Sequence, residues 1–246
     1  MKPIPKSPDR LKPLLAFGAH PDDIEFGCGG VIANEAQINH RTIHLVICSE
    51  GEAGSAGKPK QRRVEAKNAA AILEATHEFL KLDGDAHLEI RAAHAIKIAS
   101  IIRKIRPGVI LAPTTVENQH PDHAKLGKLV RDACRLARFG GLKELRRQKP
   151  HAIEQLFYYA VTPEAEPRDI TPVLFDISEH GVVQTWSLAM NAHVSQVTAR
   201  NYVQLQLARA RLLGVRIGVE YAVALYPNEP LVLPSLLQAG RGVRRF

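Results

Sequence analysis

The sequence predicts an α/β protein: a Rossmann-like, mainly parallel sheet with helices on both faces, plus a C-terminal extension. Three observations predict it. Short apolar runs of the kind that fill buried strands recur along the first two thirds of the chain. Segments with apolar residues at helical spacing separate those runs. Strands that alternate with helices need crossover connections, which are right-handed and place helices on both faces of a parallel sheet.

Each element has its own signature. Residues 13–19 (PLLAFGA) form an apolar run closed by Gly18 and His20, a buried strand ending in a loop. Residues 26–38 read as a helix after a glycine-rich start, and the β-branched run 42–48 (TIHLVIC) as a second strand. Residues 60–75 carry Ala69, Ala70, Ile72 and Leu73 on one stripe of a helix. A short third strand over 78–82 precedes the turn Asp83-Gly84-Asp85. Residues 91–105 place Ala92, Ile96, Ala99, Ile102 and Ile105 at helical spacing; Pro107-Gly108 stops that helix and a fourth strand starts at Val109. A helix over 123–138, strands at 157–161 and 173–177, and helices near 183–192 and 197–213 follow. Tyr221 to Leu237 reads as less regular and proline-rich.

No internal repeat, low-complexity tract or long linker interrupts this order. The 246 residues read as one domain, a core over about 12–162 and an extension over about 163–246 that completes the pocket.

With 45% hydrophobic and 24% charged residues, the composition is that of an ordinary globular protein. No run approaches the roughly 18–20 apolar residues of a membrane span. The apolar stretch before Gly18 is shorter than the roughly 7–15-residue centre of a secretory signal, so a cytoplasmic location is expected. Three separated cysteines without a CxxC pair argue against a disulfide framework or a cysteine-rich zinc module.

The net charge of +8 is unevenly placed. Residues 124–149 alone carry nine basic groups against Asp132 and Glu144, both ends of the chain are basic, and the rest is slightly acidic. Without a recognition motif or interleaved aromatics this is not a nucleic-acid footprint. It fits an anionic substrate or a contact between subunits.

Two short polar clusters follow strands, where ligands of doubly wound sheets bind. His20-Pro21-Asp22-Asp23, with Glu25 close behind, follows the first strand, and His120-Pro121-Asp122-His123 follows the fourth. Imidazoles mixed with carboxylates suit a divalent ion, zinc above all, although such a set also accepts iron. Taken separately, the first cluster is equally an acid-rich helix start and the second a pair of solvent-facing histidines. Their occurrence together beyond two strand ends favours one shared metal site. Gly27-x-Gly29-Gly30 lacks the spacing of a dinucleotide fingerprint, and the acids before it would repel a pyrophosphate.

AHPDDIEFGCGG at 19–30 and HPDH at 120–123 resemble the two signature motifs of the PIG-L/LmbE-like family of zinc-dependent N-acetylglucosamine de-N-acetylases. SEGEAG at 49–54, Arg62-x-x-Glu65 and AHVSQ at 192–196 extend the resemblance over most of the chain. The resemblance implies one Zn2+ per subunit held by His20, Asp23 and His123, with Fe2+ as the other metal to test. It implies Asp22 as general base, His120 as oxyanion stabiliser or acid, and Asp122 as the group that orients a histidine or the base. Arg62 matches a residue that contacts the sugar, and otherwise pairs with Glu65 or Glu52. Asp85 stands where a sugar hydroxyl is bound, in a segment one residue longer than the usual pattern, and is otherwise a turn residue. His193 reads as structural.

The expected partner is an amino sugar conjugate, neutral or anionic, and the expected assembly a homo-oligomer such as a trimer or hexamer. The expected reaction is hydrolytic removal of an acetyl group. Alternatives are an amidase on a larger thiol-sugar or non-sugar amide, and a sugar-binding homologue without catalysis.

Overall fold

A computed structural model of the chain describes residues 11–117, 120–198 and 201–243. Five parallel strands form most of one sheet: β1 (Leu14–Gly18), β2 (Ile43–Ile47), β3 (Thr76–Phe79), β4 (Val109–Pro113) and β5 (Gln155–Tyr159). β6 (Val173–Asp176) and β7 (Ala222–Pro227) complete it in the order β3-β2-β1-β4-β5-β7-β6. β7 runs antiparallel to both of its neighbours.

Side chains alternate along each strand, so the central strands feed two cores. Leu14 and Ala16 of β1 join Leu45, Tyr159 and Trp186 on one face. That face is covered by α1 (Asp23–Gln37), α2 (Pro59–Ile72), α5 (His180–Asn191) and α7 (Tyr202–Ile217). Leu15 and Phe17 join Val46 and Ile110 on the other face, under α3 (Ala92–Ile105) and α4 (Pro121–Arg138). No helix among the described residues is long and apolar enough to cross a membrane.

The chain moves outward from β1 through β2 to β3, then returns to place β4 on the other side of β1. The loops after β1 and β4 therefore diverge and leave a crevice beyond the carboxyl ends of the two strands, the usual ligand position in such sheets. Both polar clusters of the sequence lie there.

Several expectations need correction. The proline-rich stretch after Tyr221 contains β7, whose partners β5 and β6 lie far away in sequence. The third strand is Thr76–Phe79, shifted from 78–82; it is an edge strand whose polar residues His77 and Glu78 mask the period, although Leu80 and Leu82 still donate backbone bonds to Ile47 and Cys48. The single helix expected over 197–213 is two: α6 (Val194–Val197), then α7, capped by the Asn201 side chain.

Candidate functional site

The site begins with a strained turn. Asp22, the residue before α1, has φ 120° and ψ −28°, a backbone conformation that costs a non-glycine residue about 1–3 kcal/mol. Its surroundings hold it there. The buried Arg62 guanidinium of α2 donates to Pro21 O at 2.9 Å, Gly51 O at 3.1 Å and Asp22 Oδ2 at 3.3 Å. The next carboxylate ties off the strand end: Asp23 Oδ2 accepts from Ala19 N at 2.8 Å and His20 N at 2.9 Å.

The second half comes from the start of α4. His120 is its N-cap, and the ring Nδ1 accepts from Asp122 N at 3.3 Å. Pro121 fills the first helical position, where its missing N–H costs nothing. The first turn then carries His123 to the end of β1. His123 Nε2 lies 3.2 Å from His20 Nδ1 and 3.0 Å from Asp23 Oδ1, and His20 Nδ1 lies 3.4 Å from Asp23 Oδ2.

These separations fit a metal ion. Ligand bonds of ~2.0–2.1 Å arranged tetrahedrally place neighbouring donors about 3.3–3.4 Å apart. Two nitrogens 3.2 Å apart meet here, each within 3.0–3.4 Å of one oxygen of the Asp23 carboxylate. Fewer than four protein ligands is also the composition of catalytic rather than structural zinc sites.

A second layer surrounds the far side of the His20 ring. Its Nε2 is 3.1 Å from Asp85 Oδ1 and 3.6 Å from Asp122 Oδ2, while His120 Nε2 is 3.4 Å from the same Asp85 oxygen. Asp122 Oδ2 accepts from Ala86 N at 2.8 Å.

The electrostatics separate the two adjacent aspartates of the first motif. Burial and the neighbouring Asp23 carboxylate push Asp22 up to about 6 against the pull of Arg62. Burial also acts on Asp23, but the His123 and His20 rings outweigh it and hold that carboxyl well below its usual range. Asp85 is likewise driven down, because His120 and His20 outweigh its burial.

The polar cluster opens into a cavity of about 430 Å³. Asp22, His120 and Arg62 line it together with Phe26, Tyr202 and Gln206. A separate groove of about 710 Å³, lined by Arg131, Arg135 and Arg138 with residues 152–157 and 228–233, contains none of these groups. It lies toward the other end of α4, by the amino end of β5. None of the nine basic residues of 124–149 is among those that line the cavity.

The structure brings together His20, Asp22, Asp23, Arg62, Asp85, His120, Asp122 and His123. Arg62 pairs with Asp22 rather than with Glu65 or Glu52. Glu65 instead accepts from Ser195 N and Oγ at 2.9 and 2.6 Å, which seats the AHVSQ segment. His193 of that segment is fully buried, 3.4 Å from Glu25 Oε2, beneath the site rather than in it. Phe26, Tyr202 and Gln206 escaped the sequence reading. Phe26 is legible as the apolar residue one helical turn beyond Asp22, but nothing local marks the other two.

Sequence and structure comparisons show which known proteins the chain is similar to. The family model described as "PIG-L: GlcNAc-PI de-N-acetylase" matches residues 15–134. A diacetylchitobiose deacetylase of Thermococcus kodakarensis is 29% identical over 202 residues, covering 76% of this chain and 70% of that protein. The uncharacterized deacetylase YaiS of Escherichia coli is 34% identical over 135 residues, 52% of this chain and 71% of its own. A 4-oxalmesaconate hydratase of Pseudomonas putida is 28% identical over 144 residues, 54% of this chain and 55% of its own. Among solved structures, the conserved protein TT1542 of Thermus thermophilus superposes with a TM-score of 0.79 at 30% identity, covering 94% of this chain and all of that one.

The fold and these relatives define an enzyme of the N-deacetylase class. The chain belongs to the PIG-L family.

Proposed function

We propose that the protein is a zinc-dependent hydrolase that removes the acetyl group from an N-acetylglucosamine-type amino sugar conjugate. The observation that carries the proposal is the donor set of His20, Asp23 and His123 beside Asp22 and His120, with all five lining one cavity. A divalent ion held by that set would polarise the amide carbonyl and make water acidic enough to yield a nucleophile near neutral pH.

The chain's own residues do the rest. Asp22 lines the same cavity, next in sequence to the ligand Asp23, and takes the proton as the water attacks. The Arg62 guanidinium fixes that carboxylate, which makes the base preorganised rather than mobile. His120, N-cap of α4, offers a donor to the developing oxyanion. Return of a proton to the amine nitrogen by Asp22 or His120 releases acetate and a free amine.

Phe26 and Tyr202 supply the apolar wall expected of a small-molecule pocket. Assembly as a homo-oligomer, a trimer or hexamer, and a cytoplasmic location complete the reading. The hydratase relative also activates water, so the decisive measurement is the product. Zinc-loaded enzyme is incubated with N,N'-diacetylchitobiose and with N-acetylglucosamine conjugates bearing neutral or anionic aglycones, and acetate and free amine are quantified. Stoichiometric release of both supports the proposal. Absence of release from every N-acetyl sugar, with zinc bound, overturns it.

A further inference from the structure

We infer that Asp85 is a positioning residue that fixes the protonated nitrogen of both His20 and His120, coupling the metal-binding ring to the oxyanion-binding ring through a single carboxylate. The inference rests on the deacetylase reading of the same site, and it gives Asp85 a role other than contact with a sugar hydroxyl.

The argument starts from atoms that have nowhere else to go. His20 Nε2 and Asp85 Oδ1 are buried, and neither makes an aligned hydrogen bond with any described residue. They lie 3.1 Å apart, nearer than the Asp122 Oδ2 that stands 3.6 Å from the same nitrogen. A buried N–H and a buried carboxylate oxygen are each costly to leave unmatched, which favours placing a proton between them. Placing the proton on Nε2 leaves Nδ1, the nitrogen turned toward Asp23 and His123, as a lone pair for a metal ion.

His120 reaches the same outcome independently. Its Nδ1 accepts from Asp122 N, which puts the ring proton on Nε2; the 3.4 Å from Nε2 to the same Asp85 oxygen is long enough to leave that N–H as the donor to an oxyanion. The two rings meet edge to face, with centroids 4.3 Å apart. Asp85 Oδ2 meanwhile accepts from Ala53 N at 3.2 Å, so both oxygens are engaged inside the protein.

The loop that carries Asp85 is itself pinned. Asp83 accepts from Glu89 N at 3.0 Å and pairs with Arg91 and His94, each at 3.3 Å. One residue beyond Asp85, the Ala86 N–H reaches Asp122. A carboxylate with both oxygens occupied, on a loop braced at each side, is built to hold neighbours in place rather than to wait for a ligand.

Asp85→Asn tests this sharply, because the amide has one acceptor oxygen. If that oxygen keeps Ala53 N–H, the NH2 group is turned onto two ring N–H donors. Zinc affinity is read by chelator competition on the metal-free protein, kcat and KM by acetate release, and ring tautomers by nitrogen NMR of histidine-labelled protein. We expect zinc affinity to fall by about 10–100-fold, the usual effect of losing a carboxylate behind a histidine ligand, with kcat reduced and KM unchanged. In the wild type both rings should carry the proton on Nε2. A raised KM with unaltered zinc affinity would mark Asp85 as a substrate contact and overturn the inference. Wild-type ring signals with the proton on Nδ1 overturn it without any variant, even if Asp85→Asn fails to fold. Failure of the deacetylase reading shows separately, as wild-type enzyme that binds zinc but releases no acetate.

Discussion

The ring of Tyr159 occupies the space where a side chain at Gly27 would stand: a Cβ built there lies 2.1 Å from Tyr159 Cδ2. The hydroxyl of the same tyrosine donates to Phe17 O at 2.7 Å, so the ring is fixed between α1 and the end of β1. The glycine-rich sequence after the first motif thus lets α1 pack closely on the sheet, and it has no part in holding phosphates.

Gly27→Ala reverses an ordinary expectation. In an exposed helix interior this change stabilises by ~1 kcal/mol. Here the new methyl must displace a buried aromatic ring that is anchored at both ends. Overpacking of this kind costs ~1–3 kcal/mol, so urea unfolding of Gly27→Ala should show a net loss of about 1–2 kcal/mol. A variant as stable as the wild type would mean that Tyr159 moves freely.

Arg103 predicts a second stability effect. It is buried without a carboxylate partner among the described residues, and its guanidinium donates to Leu136, Ala137, Phe139, Leu145 and Gln148 carbonyls, closing the carboxyl end of α4 and the loop beyond it. Lysine has neither the fork nor the number of donors to reach them. Arg103→Lys should destabilise by at least ~3 kcal/mol, because several buried carbonyls lose their donor and each costs ~1–3 kcal/mol. The partners are uncharged, so raising the salt concentration should leave the difference between variant and wild type unchanged. A difference that shrinks with salt would show that an ion pair is being lost instead.

These two residues show where the sequence is readable. β1, β2 and β4 are legible because each is a short continuous apolar run, which a parallel strand buried on both faces requires. β7 is not, because its pairing with β5 covers only Phe157–Pro227 and Tyr158–Tyr226 and prolines follow at once. α1 begins at Asp23, before the glycines that the local pattern puts at its start, because acids at the first turn suit the helix dipole. Arg103 reads as one more cation at a helix end, and only the fold brings five carbonyls to it.

In the site, the two His-Pro-Asp clusters are legible because ligands separated by one or three residues travel together on a single turn. The positions of Arg62 and Asp85 depend on contacts across the sheet. Each sits in a segment whose own pattern is satisfied by a simpler reading, a helical ion pair for Arg62 and a turn for Asp85. Their partners, Asp22 for one and two histidine rings for the other, are set by tertiary packing alone.

Arg62 makes the third prediction. It holds the strained turn at Asp22 through a backbone carbonyl on each side of the cavity floor and a contact to the carboxylate itself. Arg62→Lys keeps the charge and loses the fork, so acetate release should fall by about 10–100-fold in kcat, the scale of a misplaced catalytic group. Zinc content should stay at the wild-type level, because no ligand contacts Arg62. If kcat is intact and only KM rises, Arg62 binds substrate and does not hold the base.

The final prediction separates metal binding from proton transfer within one motif pair. His123 is 3.0 Å from Asp23 and 3.2 Å from His20, so His123→Ala removes one corner of the donor set. Zinc added at 100 times its Kd should stabilise the wild type against unfolding by ~2.7 kcal/mol, the mass-action value for a ligand that binds only the folded state. His123→Ala should lose most of that stabilisation together with activity. Asp22→Asn should behave differently: Asp22 is absent from the donor set, so zinc stabilisation is retained while acetate release drops by about 10²–10⁴-fold, the contribution of a positioned general base. Unfolding curves with and without zinc, read beside turnover, place each variant in one class or the other. An Asp22→Asn enzyme that turns over at the wild-type rate would remove Asp22 from the reaction, and one that loses zinc would make it a ligand.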